Sequence, residues 1–376
     1  MRVGVIGGGQ LARMLALAAP PLGLQVWALD PAADACAGAV ASMRQAAFDD
    51  LAALHAFADL CDVITFDFEN VSAAGLQELD SVRPVRPPPR ALALTQDRAQ
   101  EKALFRQLGT PIAPYAVIAD EDSLAAAAGS VQFPAILKTC RLGYDGKGQV
   151  RVADAQGLAS AWAQLGRVPC VLEERLRFDR ELSLVAVRGV DGEMRFYPLV
   201  ENVHADGILA MTLAPAQVSA DLRLQAQSCA QDVADALDYV GVFAIEFFEV
   251  GDQLLANEIA PRVHNSGHWS IEGAETSQFE NHLRAVAGWP LGSTAARGVS
   301  CMLNWIGALP DRQLALGIPG LHWHDYGKEA RDGRKVGHAT LTADSIPQLA
   351  ERLRLTGNVL GCELQVAAAL SALERA

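Results

Sequence analysis

The chain has 376 residues, with 44 acidic against 31 basic side chains, a formal charge of −13, and 51% hydrophobic residues. That length suits two or three domains, and the composition is that of a globular chain able to bury several cores. The acidic balance argues against a general nucleic-acid binder, and no run of 18 apolar residues offers a membrane span. Seven scattered cysteines without a Cys-x-x-Cys pair argue against a disulfide framework or zinc site and for a reducing, cytoplasmic setting.

Arg2 leads straight into a strand at 2–6, which leaves no room for a secretory leader. A helix near 10–19, a strand at 24–29 and an apolar run from Asp62 to Phe66 follow; this alternation predicts a parallel sheet wrapped by helices. Gly7-Gly8-Gly9-Gln10-Leu11-Ala12 joins the first strand to the first helix, fits the relaxed Gly-x-Gly-x-x-Ala pattern, and has Asp30 where a ribose-binding acid would fall. An NAD-dependent dehydrogenase is therefore one reading; a site for a substrate's phosphate, or a plain turn, are the others. Pro84 to Pro89 mark the first domain boundary, because consecutive prolines remove backbone donors.

A helix at 96–108 and a Gly109-Thr110-Pro111 stop open a long α+β region that ends near Pro290. Its strands are expected near 134–138, 171–175, 181–188, 195–200, 241–249 and 253–259, its helices near 155–165 and 219–237. The segment from Gly292 on reads as shorter and mixed. The predicted domains are 1–95, 96–290 with a lid subdomain around 110–172, and 291–376.

Two places carry chemistry. The strand 134–138 ends in Lys138, and a loop with Arg141, Gly143, Gly146, Lys147 and Gly148 leads to a strand from Gln149. Glycines let backbone N–H groups close on phosphate oxygens and lysine supplies a mobile charge. No Gly-x-x-x-x-Gly-Lys-Ser/Thr occurs, so this is a lid over phosphates rather than a P-loop. The second place is a predicted hairpin, 242–250 and 254–259, around a three-residue loop Gly251-Asp252-Gln253. If Val250 pairs with Leu254, Glu246 faces Glu258. Two carboxylates so placed repel and need a proton or a cation, and oxygen-only ligands favour magnesium or manganese. A one-residue slip would put them on opposite faces. Downstream, Arg262, His264, Asn265 and His268 suit small anions better than zinc, and His322 and His324 suit packing or hydrogen bonding.

In order, Lys138, the loop 143–149, Glu173-Glu174-Arg175-Leu176, Glu181 and the Glu246/Glu258 pair resemble the ATP-grasp superfamily. Gly7 to Met14, Phe68-Glu69-Asn70-Val71, Gly143 to Gln149, Asn257 to His268 and Gly333 to His338 resemble the 5-(carboxyamino)imidazole ribonucleotide synthases within it. The resemblance implies an α/β and α+β chain: an ATP-grasp fold with an N-terminal parallel-sheet, Rossmann-like domain and a small C-terminal domain. It implies an ATP- and bicarbonate-dependent ligase that carboxylates aminoimidazole ribonucleotide, works as a homodimer, and binds no nucleic acid or membrane. Arg98, Lys138, Gly143, Tyr144, Asp145, Gly146, Lys147, Gly148, Gln149, Glu173, Glu174, Arg175, Leu176, Glu181, His204, Asn257 and Glu258 would bind ATP, with Glu173 near the adenine and Glu181 on the ribose. Glu246 and Glu258 would hold magnesium. Gln10, Leu11, Glu69, Tyr144, Asp145, Lys147, His264, Asn265, Ser266, Lys328, Arg334 and Lys335 would surround the ribonucleotide. Asp145, Arg262 and Lys328 would serve the chemistry, Asp145 as base and Arg262 on bicarbonate. The chain departs from the family pattern at Cys140 and Leu142, where a basic residue and a glycine are usual, and at Phe66-Asp67, where Tyr-Glu is usual. A formate-using glycinamide ribonucleotide transformylase would share the carboxylate pair but lack the Arg334-to-His338 motif.

Overall fold

A computed structural model describes residues 1–143 and 147–374. The first ninety residues form a four-stranded parallel sheet of β1 (Arg2–Ile6), β2 (Gln25–Asp30), β3 (Ser42–Gln45) and β4 (Val63–Phe66), in the order β3-β2-β1-β4. β1 and β4 read as continuous apolar runs because helices cover the sheet. The proline cluster stays on this sheet: Val85 bridges Ile64, and Pro89 occupies the first turn of a helix Pro89–Thr95, where a missing N–H costs nothing. The single helix expected at 96–108 therefore begins at Arg98, with Asp97 capping the Ala99 and Gln100 N–H groups.

The lid is a four-stranded antiparallel sheet, β5 (Tyr115–Ile118), β6 (Ala135–Thr139), β7 (Gln149–Val152) and β8 (Cys170–Glu174), in the order β5-β8-β6-β7. Helices Glu121–Ser130 and Leu158–Gln164 close its core of Ile118, Leu137, Trp162 and Leu172.

The remaining strands build one large antiparallel sheet: β9 (Arg180–Arg188), β10 (Met194–Phe196), β11 (Val200–Ala205), β12 (Ile208–Ala214), β13 (Gly241–Val250), β14 (Gln253–Ala260), β15 (Val299–Ile306), β16 (Leu321–Asp325) and β17 (Lys335–Ala343). Its order is β14-β13-β9-β11-β12-β15-β17-β16, with β10 on β9. The strand expected at 195–200 is thus two, β10 and the start of β11. Helix Ala220–Ala236 covers the β9–β13 face, helix Ile346–Leu360 covers β15 and β17, and helix Glu363–Glu374 covers β11 and β12. Helix Gln278–Ala287 wedges between the large sheet and the first one, in a core shared by Val3, Leu15, Val242, Trp269 and Phe279. His282 ties the two: its Nδ1 accepts from the Val242 N–H at 3.1 Å, so its Nε2 donates to Thr65 Oγ1 at 2.8 Å. Burial pushes this imidazole down to about 3 and keeps it neutral. No described helix is long and apolar enough to cross a membrane.

Candidate active site

Glu246 on β13 and Glu258 on β14 are direct cross-strand partners. The route to that register differs from the sequence expectation. Val250 pairs with Gln253, so the loop is the two residues Gly251 and Asp252, and the ladder is one residue out as far as Phe247 and Ala256. A bulge at Asn257 then restores Glu246 to Glu258. Burial, and Glu258 opposite, push the Glu246 carboxyl up to about 7. Burial works against ionisation of Glu258 too, but Arg98, with Nη1 3.0 Å from Oε2, overrides it and holds that carboxyl below its ordinary range. His264 Nε2 lies 3.4 Å from Glu246 Oε1. Its Nδ1 accepts from the Ser266 N–H at 3.3 Å and meets Ser266 Oγ at 2.8 Å, and burial holds it neutral, so Nε2 carries the proton toward Glu246.

Helix Arg98–Gln107 supplies two groups that the sequence did not flag. Lys102 and Glu101 are 1% and 2% exposed. Lys102 Nζ donates to the Asn257 carbonyl at 3.0 Å, and Glu101 Oε1 accepts from the Ile259 N–H at 2.6 Å. β14 is an edge strand, and these side chains satisfy backbone groups on either side of Glu258 that no neighbouring strand reaches. Lys102 also meets Glu173 Oε1 at 3.4 Å, while Lys138 Nζ meets Glu173 Oε2 at 2.9 Å. Burial alone would raise Glu173, but Lys138 and Lys102 bring it down to about 2. Lys102, buried and sharing that single carboxylate, is pushed below its ordinary value. The Glu173 side chain is therefore committed to orienting lysines, which leaves backbone atoms for the adenine contact that the family resemblance implies.

Lys138 ends β6 at the root of the lid loop. The Thr139 N–H donates to the Gly148 carbonyl at 2.8 Å, and Gly148 has φ +71°, a left-handed turn that brings the loop back onto Thr139. Gln149 pairs with Lys138, and Gly143 offers its carbonyl to Arg98 at 3.4 Å. Lys147 is exposed; Tyr144, Asp145 and Gly146 lie outside the described residues. Cys140 is buried, with its thiol pushed up to about 11 by burial, and Leu142 is 74% exposed. At the end of β8 and just past it, Glu174 and Leu176 are half-buried and Arg175 exposed. Glu181 Oε2 lies 2.7 Å from His204 Nδ1, across β9 and β11. That carboxylate raises the imidazole above its ordinary value against burial. On the same face as Glu246, Phe248 stacks on Phe178 with ring centroids 4.7 Å apart, an apolar wall absent from the sequence reading although Glu246-Phe247-Phe248 alternates.

The first glycine loop faces the other side of this cleft, and it is internally filled. Asp67 Oδ2 accepts from the Ala12 N–H at 3.0 Å, and a Cβ on Gly7 would fall 1.8 Å from Asp67 Oδ1. Burial raises Asp67 to about 6, against the Ala12 N–H and Arg262. Asp30 spends Oδ2 on the Gly8 N–H and Oδ1 on the Ala32 N–H, both at 2.8 Å. With Asp67 at the helix N-terminus where a pyrophosphate would lie and Asp30 spent on backbone, the dehydrogenase reading fails. Gln10 Oε1 accepts from Lys328 Nζ, bringing the C-terminal segment onto this loop. Glu69 Oε1 meets Arg262 Nη2 at 2.8 Å. Lys335 is close enough to Glu246 and His264 to act on both electrostatically, and Arg334 Nη1 donates to the Glu329 carbonyl at 3.3 Å. Two members of the expected substrate set are otherwise engaged: Leu11 is a core side chain, and Ser266 is fully buried against His264. Asn265 and Asn304 exchange reciprocal amide hydrogen bonds at 3.1 and 2.7 Å.

A lid sheet over a carboxylate-bearing sheet, with Lys138, Glu181 and the Glu246/Glu258 pair on the facing walls, defines an ATP-grasp ligase. Family models agree along the chain: a ribonucleotide synthetase preATP-grasp domain at 1–96, an ATP-grasp domain at 103–279 and a phosphoribosylaminoimidazole carboxylase C-terminal domain at 300–352. The chain is 51% identical to the N5-carboxyaminoimidazole ribonucleotide synthase of Pseudomonas aeruginosa, covering 94% of this chain and 98% of that one. It is 39% identical to that of Bacillus subtilis over 90% of each. The crystal structure of the Thermus thermophilus synthetase superposes with a TM-score of 0.92 at 49% identity, covering 95% and 98% of the two chains. The Aspergillus clavatus synthase in complex with ADP and 5-aminoimidazole ribonucleotide gives 0.88 at 34% identity, covering 96% and 98%. The chain belongs to the N5-carboxyaminoimidazole ribonucleotide synthase family, and the transformylase alternative gives way to it.

Proposed function

We propose that the chain joins bicarbonate to the exocyclic amine of 5-aminoimidazole ribonucleotide through carboxyphosphate, giving 5-(carboxyamino)imidazole ribonucleotide, ADP and phosphate in purine biosynthesis. The observation that carries this reading is one connected set of charged groups. Lys138 and the Glu246/Glu258 pair lie at one end, Lys328 on Gln10 at the other, and the Arg262–Glu69 pair feels Glu258 and Arg98.

Glu246 and Glu258 fit magnesium or manganese: both offer only carboxylate oxygens, and two carboxylates leave further positions for phosphate and water. Among the described residues no group of three or more His, Cys, Asp or Glu competes as a metal cluster. The bound ion would neutralise charge on the triphosphate. Lys138, oriented by Glu173, would hold phosphoryl oxygens; Arg262 would hold bicarbonate for attack on the γ-phosphate. Lys328, Arg334 and Lys335 would take the ribose 5-phosphate. Asp145, carried on the lid loop, would remove the amine proton once the closed lid has excluded water from carboxyphosphate. Seven cysteines, none in a disulfide, support a cytoplasmic enzyme, and family resemblance supports a homodimer.

The test is phosphate release from ATP with bicarbonate, with and without 5-aminoimidazole ribonucleotide. Release should depend on the ribonucleotide; release indifferent to it removes the assignment. Asp145→Asn should keep nucleotide binding and lose carboxylation, and full activity would remove Asp145 as the base.

A further inference from the structure

Arg98, Glu101 and Lys102, spaced i, i+3 and i+4, share one face of their helix and engage three consecutive residues of the edge strand β14. Lys102 holds the Asn257 carbonyl, Arg98 the Glu258 carboxylate and Glu101 the Ile259 N–H. The outer two contacts are buried almost completely, whereas the Glu258 side chain is 38% exposed. The helix is thus fastened to the strand by Glu101 and Lys102, and Arg98 is the member that faces the cleft. It also donates to the Gly143 carbonyl.

We propose that Arg98 is the internal counter-cation of Glu258, occupying this carboxylate until a nucleotide's phosphates draw the guanidinium away and free Glu258 for a divalent ion. The proposal rests on the reading of Glu246 and Glu258 as the ligand pair. Two facing carboxylates require positive charge nearby. Glu258 is paired directly with a guanidinium, whereas Glu246 meets the imidazole of His264 at 3.4 Å and feels His204 and Lys335 from further away. A divalent ion approaching the pair meets a cation already there, which gains nothing from an added positive neighbour. Phosphate oxygens offer Arg98 an equally good, bidentate partner. Metal and nucleotide then load together, because each relieves the obstacle to the other.

The test uses Mn²⁺ as probe on the full chain without nucleotide, with free ion counted by electron paramagnetic resonance. Arg98→Met should bind Mn²⁺ about tenfold more tightly than wild type, within the usual range of a coupling between sites. Arg98→Lys, which keeps the charge, should stay near wild type, and adding Glu258→Gln to Arg98→Met should abolish the gain. Unchanged Mn²⁺ affinity in folded Arg98→Met overturns the proposal. The complementary variant does not depend on that protein folding: Glu258→Gln leaves Arg98 free for phosphate, so metal-free ADP in EDTA should bind about tenfold more tightly. Equal or weaker binding overturns the proposal as well. Loss of Mn²⁺ from the ATP complex in Glu246→Gln, with no gain in Arg98→Met, would sink the role of Arg98 and leave the ligand pair standing.

Discussion

Glu246→Gln should stabilise the protein in the absence of metal, and the effect should grow with pH. The Glu246 carboxyl lies at about 7 in the fold against an ordinary 4.5, because burial and Glu258 disfavour its charge. Below 4.5 both folded and unfolded chains hold this proton, so it contributes nothing. Between 4.5 and 7 the unfolded chain ionises first, the folded chain binds more protons, and stability falls as pH rises. Above 7 the full penalty applies. At about 1.4 kcal/mol per unit, this difference amounts to about 3 kcal/mol. Glutamine keeps the shape and cannot ionise; it gives up a single 3.4 Å contact with His264. Urea unfolding of both proteins in EDTA at pH 5 and pH 8 measures the difference, and subtracting the two curves cancels the titrations that do not couple to Glu246. The variant should exceed wild type by no more than about 1 kcal/mol at pH 5 and by about 3 kcal/mol at pH 8. A difference that is flat between the two pH values, or of opposite sign at pH 8, refutes the claim that these carboxylates are frustrated without a cation.

Three further outcomes are expected. Lys102→Met leaves the Asn257 carbonyl and one oxygen of Glu173 without their cation, while Lys138 still holds the other oxygen; the low end for breaking a buried pair, about 3 kcal/mol, should appear in urea unfolding. A loss under about 0.5 kcal/mol would show that the lysine is not fastening the strand. Glu173 is held at about 2, so its contribution is complete above 4.5 and disappears as pH falls toward 2; Glu173→Gln should flatten the acid limb of the stability curve over that window. Lys328→Met should raise KM for 5-aminoimidazole ribonucleotide by about 10–100-fold, the worth of a charge-assisted hydrogen bond, and leave KM for ATP alone; equal effects on both would place Lys328 elsewhere in the mechanism.

The carboxylate pair was legible because β-strand alternation and a short hairpin fix which residues can meet. The expectation nevertheless reached the right pair through two offsetting differences: a loop one residue shorter than expected, and one extra residue at Asn257. A regular ladder continued from Val250 and Gln253 would set Glu246 against Asn257 and turn Glu258 to the opposite face. The bulge is therefore what makes the site, and its carbonyl is held from outside the hairpin by Lys102. That lysine was invisible in the sequence. In a helix reading Arg98-Ala99-Gln100-Glu101-Lys102, charges at most positions look solvated, and only the docking of β14 decides which of them are buried. Leu11 and Ser266 show the converse: motifs name them beside substrate, while the side chain of one packs in the core and that of the other fixes the tautomer of His264, which leaves backbone atoms for any such contact. The segment after Gly292 was least legible because its strands gain their meaning from β12, some ninety residues earlier in the chain. Residue types at a motif position thus announce the chemistry, but the direction in which Glu258 points belongs to a helix that carries no motif for it. Variation at Glu101 or Lys102 should accordingly weaken Mn²⁺ binding at the proposed Glu246/Glu258 pair as much as variation at the immediate neighbours of those glutamates, measured by electron paramagnetic resonance.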